Sequence, residues 1–167
     1  MFFGFTEPLG KFHDTNNKLG GALGLELRYN LRELPIDLGF QINITSAVHE
    51  TPIHLENSEG NSSWGEYYYA EQSNRTLGLA LIGDWNFRQG RRVNPFIGAG
   101  VGWASHDLLN DCVYYDGDGE AKPLFIPRVG VEFFRHLRIT LASNISRKGY
   151  NNLQLTVGLV FGGGIKK

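Results

Sequence analysis

With 167 residues, 41% of them hydrophobic and 20% charged, the chain suits one domain with a real interior and is short for two. Its 16 basic against 17 acidic residues leave a net charge of −1, which gives no electrostatic footprint for nucleic acid. The single cysteine, Cys112, excludes an intramolecular disulfide and a multi-cysteine zinc site, and no stretch approaches the roughly 18 consecutive apolar residues of a spanning helix.

Strands that cross a membrane hide their signal in alternation, and that signal runs through this chain. Segments with a period of two lie near 2–8, 19–30, 35–46, 76–87, 95–105, 124–134, 137–146 and 152–161. The clearest places Leu77, Leu79, Leu81, Trp85 and Phe87 on one side and Gly78, Ala80, Asp84 and Asn86 on the other. Most segments have the length of about 9–11 residues that a tilted strand needs to cross a bilayer. The connections between them alternate in length. Long ones run from Leu9 to Lys18, Ala47 to Arg75 and His106 to Pro123, with a shorter polar one from Arg147 to Asn151; tight ones lie at Leu31–Leu34, Arg88–Asn94 and Arg135-His136. The expected fold is all-β: an eight-stranded antiparallel up-and-down transmembrane β-barrel over residues 1–162, with short periplasmic turns, longer extracellular loops, and a tail or linker remnant at 163–167.

The composition of the two faces decides which one meets lipid. Bulky uncharged residues fill one face: Leu23, Leu25, Leu27; Leu38, Phe40, Ile42, Ile44; Ile97, Val101; Leu137, Ile139, Leu141; Leu155, Leu159. The other face mixes glycines with charges of both signs, which suits a narrow interior where glycine makes room for long side chains. Glu26, Asp37, Asp84 and Glu132 there face Arg28, Arg128 and Arg138, so a salt-bridge network plugging the lumen is expected. Aromatic residues near strand ends fit interfacial girdles: Tyr29, Trp85, Phe87, Phe133 and Phe161 toward the short turns, Trp103 toward the long loops. Inverting the faces would instead give a soluble, lipocalin-like ligand-binding barrel.

Two segments carry a family likeness. The stretch Gln154-Leu-Thr-Val-Gly-Leu-Val-Phe161 resembles the terminal strand by which outer-membrane barrels are recognised for assembly. Asn94-Pro-Phe-Ile-Gly-Ala-Gly-Val-Gly-Trp103 resembles a Pro-Phe-x-Gly-x-Gly-x-Gly strand of the small eight-stranded barrels typified by OmpA and OmpX. The resemblance spans essentially the whole chain, although Phe161 is not its last residue. It implies a monomer in the bacterial outer membrane, with outer-membrane lipid and the barrel assembly machinery as partners. Since Met1-Phe2-Phe3-Gly4 lacks a basic start and an apolar run, an export signal is expected to have been removed.

Candidate chemistry is sparse. Eight strands leave a lumen that side chains can fill, which argues against a pore. The lipid A deacylase family carries a His-x-Ser-Asn motif on a late strand, whereas this chain reads Leu141-Ala-Ser-Asn-Ile-Ser146 with no histidine before Ser143. Ser143 and Ser146 are therefore read as ordinary strand residues, and His49, His54, His106 and Ser62 as loop residues whose spacing demands no site. Asp116, Asp118 and Glu120, with Asp111 nearby, could hold a hard cation or form a solvated acidic loop. Trp64, Tyr67, Tyr68 and Tyr69 could build a loop surface for a ligand, or extend a strand above the membrane. The expected protein is a non-enzymatic barrel without catalytic residues or cofactor, serving surface display or envelope integrity. The alternative is a lipid A-modifying outer-membrane enzyme.

Overall fold

Side chains on a strand point alternately to its two faces, so a segment alternating bulky apolar with small or polar residues settles as a strand between two different media. In the computed structural model, which describes residues 1–9, 17–31, 33–54, 67–110, 113–115, 121–146 and 151–161, every such segment is a strand. They are β1 (Phe2–Pro8), β2 (Asn17–Asn30), β3 (Ile36–His54), β4 (Tyr67–Asn86), β5 (Val93–Asn110), a short β6 (Val113–Tyr115), β7 (Lys122–Phe133), β8 (Leu137–Asn144) and β9 (Asn152–Leu159). Among the described residues there is no helix.

Each strand pairs antiparallel with its neighbours, and β1 pairs with both β2 and β9. The wall therefore closes as an eight-stranded barrel in the order β1-β2-β3-β4-β5-β7-β8-β9, with β6 attached to the far end of β5. Closure gives each of these eight strands a partner on both sides, the condition for strands to sit in hydrocarbon.

The outside of the wall is apolar. Leu23, Leu25, Leu27, Leu38, Ile42, Leu81, Ile97, Val101, Leu141 and Leu155 are all exposed, while the inward face buries Asp37, Gln41, Asn43, Asp84, Arg128 and Arg138. A soluble barrel has the reverse arrangement, so the lipocalin-like alternative is not the one this wall supports. Leu141 pairs with Val129 and Leu155 in mid-wall. Leu141→Arg is expected to lower stability by about 2–4 kcal/mol, the cost of a cation near the bilayer midplane, read as a shift of the urea midpoint in lipid vesicles.

Glycine has a steric role on the inner face. A Cβ on Gly130 would approach Phe96 Cζ to 2.6 Å, and one on Gly98 would collide with the Asp84 carboxylate. These two positions let an aromatic ring and a charge occupy a lumen that eight strands leave narrow.

The hairpin of β3 and β4 is longer than the alternation indicates. Its ladder continues from Glu50↔Glu71 to His54↔Tyr67, beyond the last pairs of β3 with β2 (Asn17↔His49) and of β4 with β5 (Gln72↔Asn110). Part of the stretch read as a loop from Ala47 to Arg75 is thus a two-stranded ribbon above the rim, and Tyr67, Tyr68 and Tyr69 lie on it. Backbone pairing continues after the apolar alternation has stopped, because above a membrane both faces can be polar.

Candidate functional site

Three layers fill the barrel interior, and they differ in chemistry. At the turn end, Arg128 on β7 makes a two-pronged contact with Glu26 on β2, Nη1 to Oε2 at 3.0 Å and Nη2 to Oε1 at 2.9 Å. It also donates to Gln41 Oε1 at 2.9 Å and to Asp84 Oδ2 at 2.9 Å. Arg138 on β8 donates to the same Asp84 oxygen and to Glu132 Oε2 at 3.3 Å. Arg28 reaches Glu132 at 3.1 Å, Glu26 at 3.1 Å and Asp37 at 3.5 Å. All seven charged residues singled out for the lumen lie in this one network. Two uncharged members complete it: Gln41, and Phe96, whose fully buried ring has its centre 3.5 Å from the Arg138 guanidinium carbon. The network lines a cavity of about 1000 Å³ that reaches Gln89, Gly90 and Arg135 at the turns.

Above the charges lies an apolar layer of Ala80, Ile82, Ala104, Leu124, Ile126 and Ala142, all buried. Leu124 and Ile126 come from Pro123-Leu-Phe-Ile-Pro127, a run apolar on both faces, where alternation carries no sign of which side is in.

The third layer, toward the long connections, is polar and uncharged around one histidine. Asn144 donates to Asn152 Oδ1 at 3.0 Å, and Asn152 donates to Thr45 Oγ1 at 3.3 Å. Thr76 on β4 and His106 on β5 are register partners, both buried, and Thr76 Oγ1 lies 2.9 Å from His106 Nδ1. The other ring nitrogen, Nε2, lies 3.0 Å from the hydroxyl of Ser146, just past the end of β8. Ser146 is itself held by its N–H, which donates to Asn151 Oδ1 at 2.9 Å. With the ring proton on Nδ1, Thr76 accepts from it and the Nε2 lone pair faces the Ser146 hydroxyl, the arrangement of a nucleophile with its base.

His106 was expected in a loop; it lies in β5, with its ring turned inward. Ser146 was set aside because no histidine precedes it on its own strand, yet its partner comes from forty residues away. A cross-strand pair of this kind has no spacing in the sequence to betray it. His49, His54, Tyr67, Tyr68 and Tyr69 lie on the β3–β4 ladder. Trp64, Ser62, Asp111, Asp116, Asp118 and Glu120 lie outside the described residues. Of the aromatic set, Tyr29, Trp85, Phe87, Trp103 and Phe161 are exposed on the wall, and Phe133 is half-buried.

No family model and no curated protein matches the chain. Among solved structures it is similar to the crystal structure of the outer membrane enzyme PagL, at 13% identity over 95% of this chain and 97% of that one, with a TM-score of 0.47. The expectation of a barrel without enzymatic activity does not stand: the solved barrel it is similar to is an enzyme. No residue role is taken from that enzyme.

Proposed function

We propose that the chain is an integral monomeric barrel of the bacterial outer membrane that cleaves acyl esters of membrane amphiphiles, with Ser146 as nucleophile, His106 as base and Thr76 as the group that orients the imidazole. The contact of His106 with Ser146 and Thr76 carries this reading. The apolar wall supports placement in lipid, with its long connections outside the cell and its tight turns in the periplasm. Delivery by the barrel assembly machinery follows from the alternating strand β9, and contact of the loop ribbon with a surface ligand remains compatible with this placement.

The chemistry runs as acyl transfer. Ser146 Oγ attacks the ester carbonyl while His106 Nε2 takes its proton; the same proton then leaves with the departing alcohol, and water releases the acid from the serine by the reverse sequence. Neutral Thr76 in place of a carboxylate orients the ring but adds no charge to stabilise an imidazolium, which suits a slow enzyme.

The test is a fluorophosphonate probe on the folded protein in detergent, followed by peptide mass spectrometry, together with mass spectra of lipid A and glycerophospholipids incubated with it. Labelling of Ser146 that is lost in His106→Asn, and release of fatty acid, are expected. Labelling of no serine, or spectra that stay unchanged for both lipid classes, would sink the assignment. Thr76→Val is expected to keep the label and slow turnover by about tenfold, since the base stays while its tautomer is no longer fixed.

A further inference from the structure

The turn end of the barrel carries an unusual pair of turns. Phe134 and Arg135, between β7 and β8, both have positive φ, 50° and 65°. Tight hairpins of this shape ordinarily place asparagine and glycine there, because a side chain in the left-handed region is strained. Yet Phe134 is 63% exposed, so its ring gains little burial within the protein to offset the strain. The neighbouring turn, between β4 and β5, presents exposed Arg88, Arg91 and Arg92 and places Gly90 at φ 81°.

Two hydrogen bonds lock these turns together. Phe134 N–H donates to Arg92 O at 2.7 Å, and Arg135 Nη2 donates to Gly90 O at 2.7 Å. Among the described residues, none of the four arginines takes part in an ion pair, and Glu33 is the one carboxylate on the exposed turns. Exposed Phe87 adjoins Arg88, and exposed Trp85 lies a short step up the wall. The rim therefore combines unneutralised guanidinium groups with aromatic rings at the boundary of the apolar band.

We propose that this rim is a binding site for anionic phospholipid of the leaflet facing the turns. Arg88, Arg91, Arg92 and Arg135 hold the headgroup phosphate, and Phe134 inserts among the acyl chains beneath it. Guanidinium matches phosphate in geometry and charge, and aromatic rings favour the headgroup level, so the two features specify one occupant together. The strained turn is retained because it aims Phe134 and Arg135 at that occupant. This inference rests on the membrane placement above and is independent of the acyl chemistry.

The protein is reconstituted in phosphatidylethanolamine vesicles with and without phosphatidylglycerol, and the lipid retained after extraction into detergent is identified by native mass spectrometry. Preferential retention of phosphatidylglycerol is expected, falling by about fivefold for each of Arg88→Gln, Arg91→Gln and Arg92→Gln at low salt, and weakening as salt rises. The pair Phe134→Asn with Arg135→Gly, which suits the turn better, is expected to fold in both vesicles and to lose much of the preference. Equal retention of the two lipids by the unaltered protein would overturn the proposal, as would an undiminished preference in the triple glutamine variant. Displacement of the lipid by inorganic phosphate at similar concentration would reduce the rim to a phosphate site and overturn the lipid assignment. Failure to insert into either vesicle would instead overturn the membrane placement.

Discussion

Replacing Arg128 with methionine is expected to lower stability by roughly 3–5 kcal/mol, because it removes one partner of a buried charge cluster and leaves its carboxylates short of a cation. The Arg128 side chain is 2% exposed and touches Glu26, Asp84 and Gln41 at once. Arg28 can still reach Glu26, and Arg138 can still reach Asp84, but the remaining acids then outnumber the remaining arginines further. The double variant Arg128→Met with Asp84→Leu removes a matched pair and should be less damaged than Arg128→Met alone, since no additional charge is left unpaired. Urea unfolding in vesicles, followed by tryptophan fluorescence, reads both. A double variant at least as unstable as the single one would show that the network holds the wall by shape and not by charge balance.

Ser146→Ala is expected to reduce ester cleavage by a factor on the order of 10³ or more, with little change in the unfolding midpoint, because Ser146 lies just past the end of β8 and alanine gives up the hydroxyl contact with His106 while keeping the N–H bond to Asn151. His106→Ala should cost a similar factor. The double variant should be no worse than either single one, since a base without its nucleophile and a nucleophile without its base fail in the same way. Losses that multiply in the double variant would mean that the two residues act separately, and their hydrogen bond would then be a structural feature of the lumen's upper layer.

The barrel was readable in the sequence where its two media differ most. From Leu77 to Phe87 and from Gln154 to Phe161, lipid on one side and a crowded lumen on the other force a strict alternation, and the strands lie there. The charged residues of the lumen were readable for the same reason, since few places other than a narrow interior combine Glu26 with Arg28, or Arg128 with Glu132, on one strand face otherwise rich in glycine. Three things were not readable. The full length of the β3–β4 ribbon has no medium to alternate against, although a strand extended through Tyr67, Tyr68 and Tyr69 was one of the two readings of that stretch. Leu124 and Ile126 sit in a run that is apolar on both faces. The Thr76–His106–Ser146 contact depends on the register between β4 and β5 and on where β8 ends, neither of which a linear pattern records.

The apolar layer of Ala80, Ile82, Ala104, Leu124, Ile126 and Ala142 has a consequence for traffic. It closes the β4, β5, β7 and β8 side of the bore to water, whereas buried Gln41, Asn43, Thr45 and Gln154 line the opposite side at the same level with polar groups. The bore thus holds its arginines toward one end and its histidine toward the other, with apolar packing between them along one side of the wall.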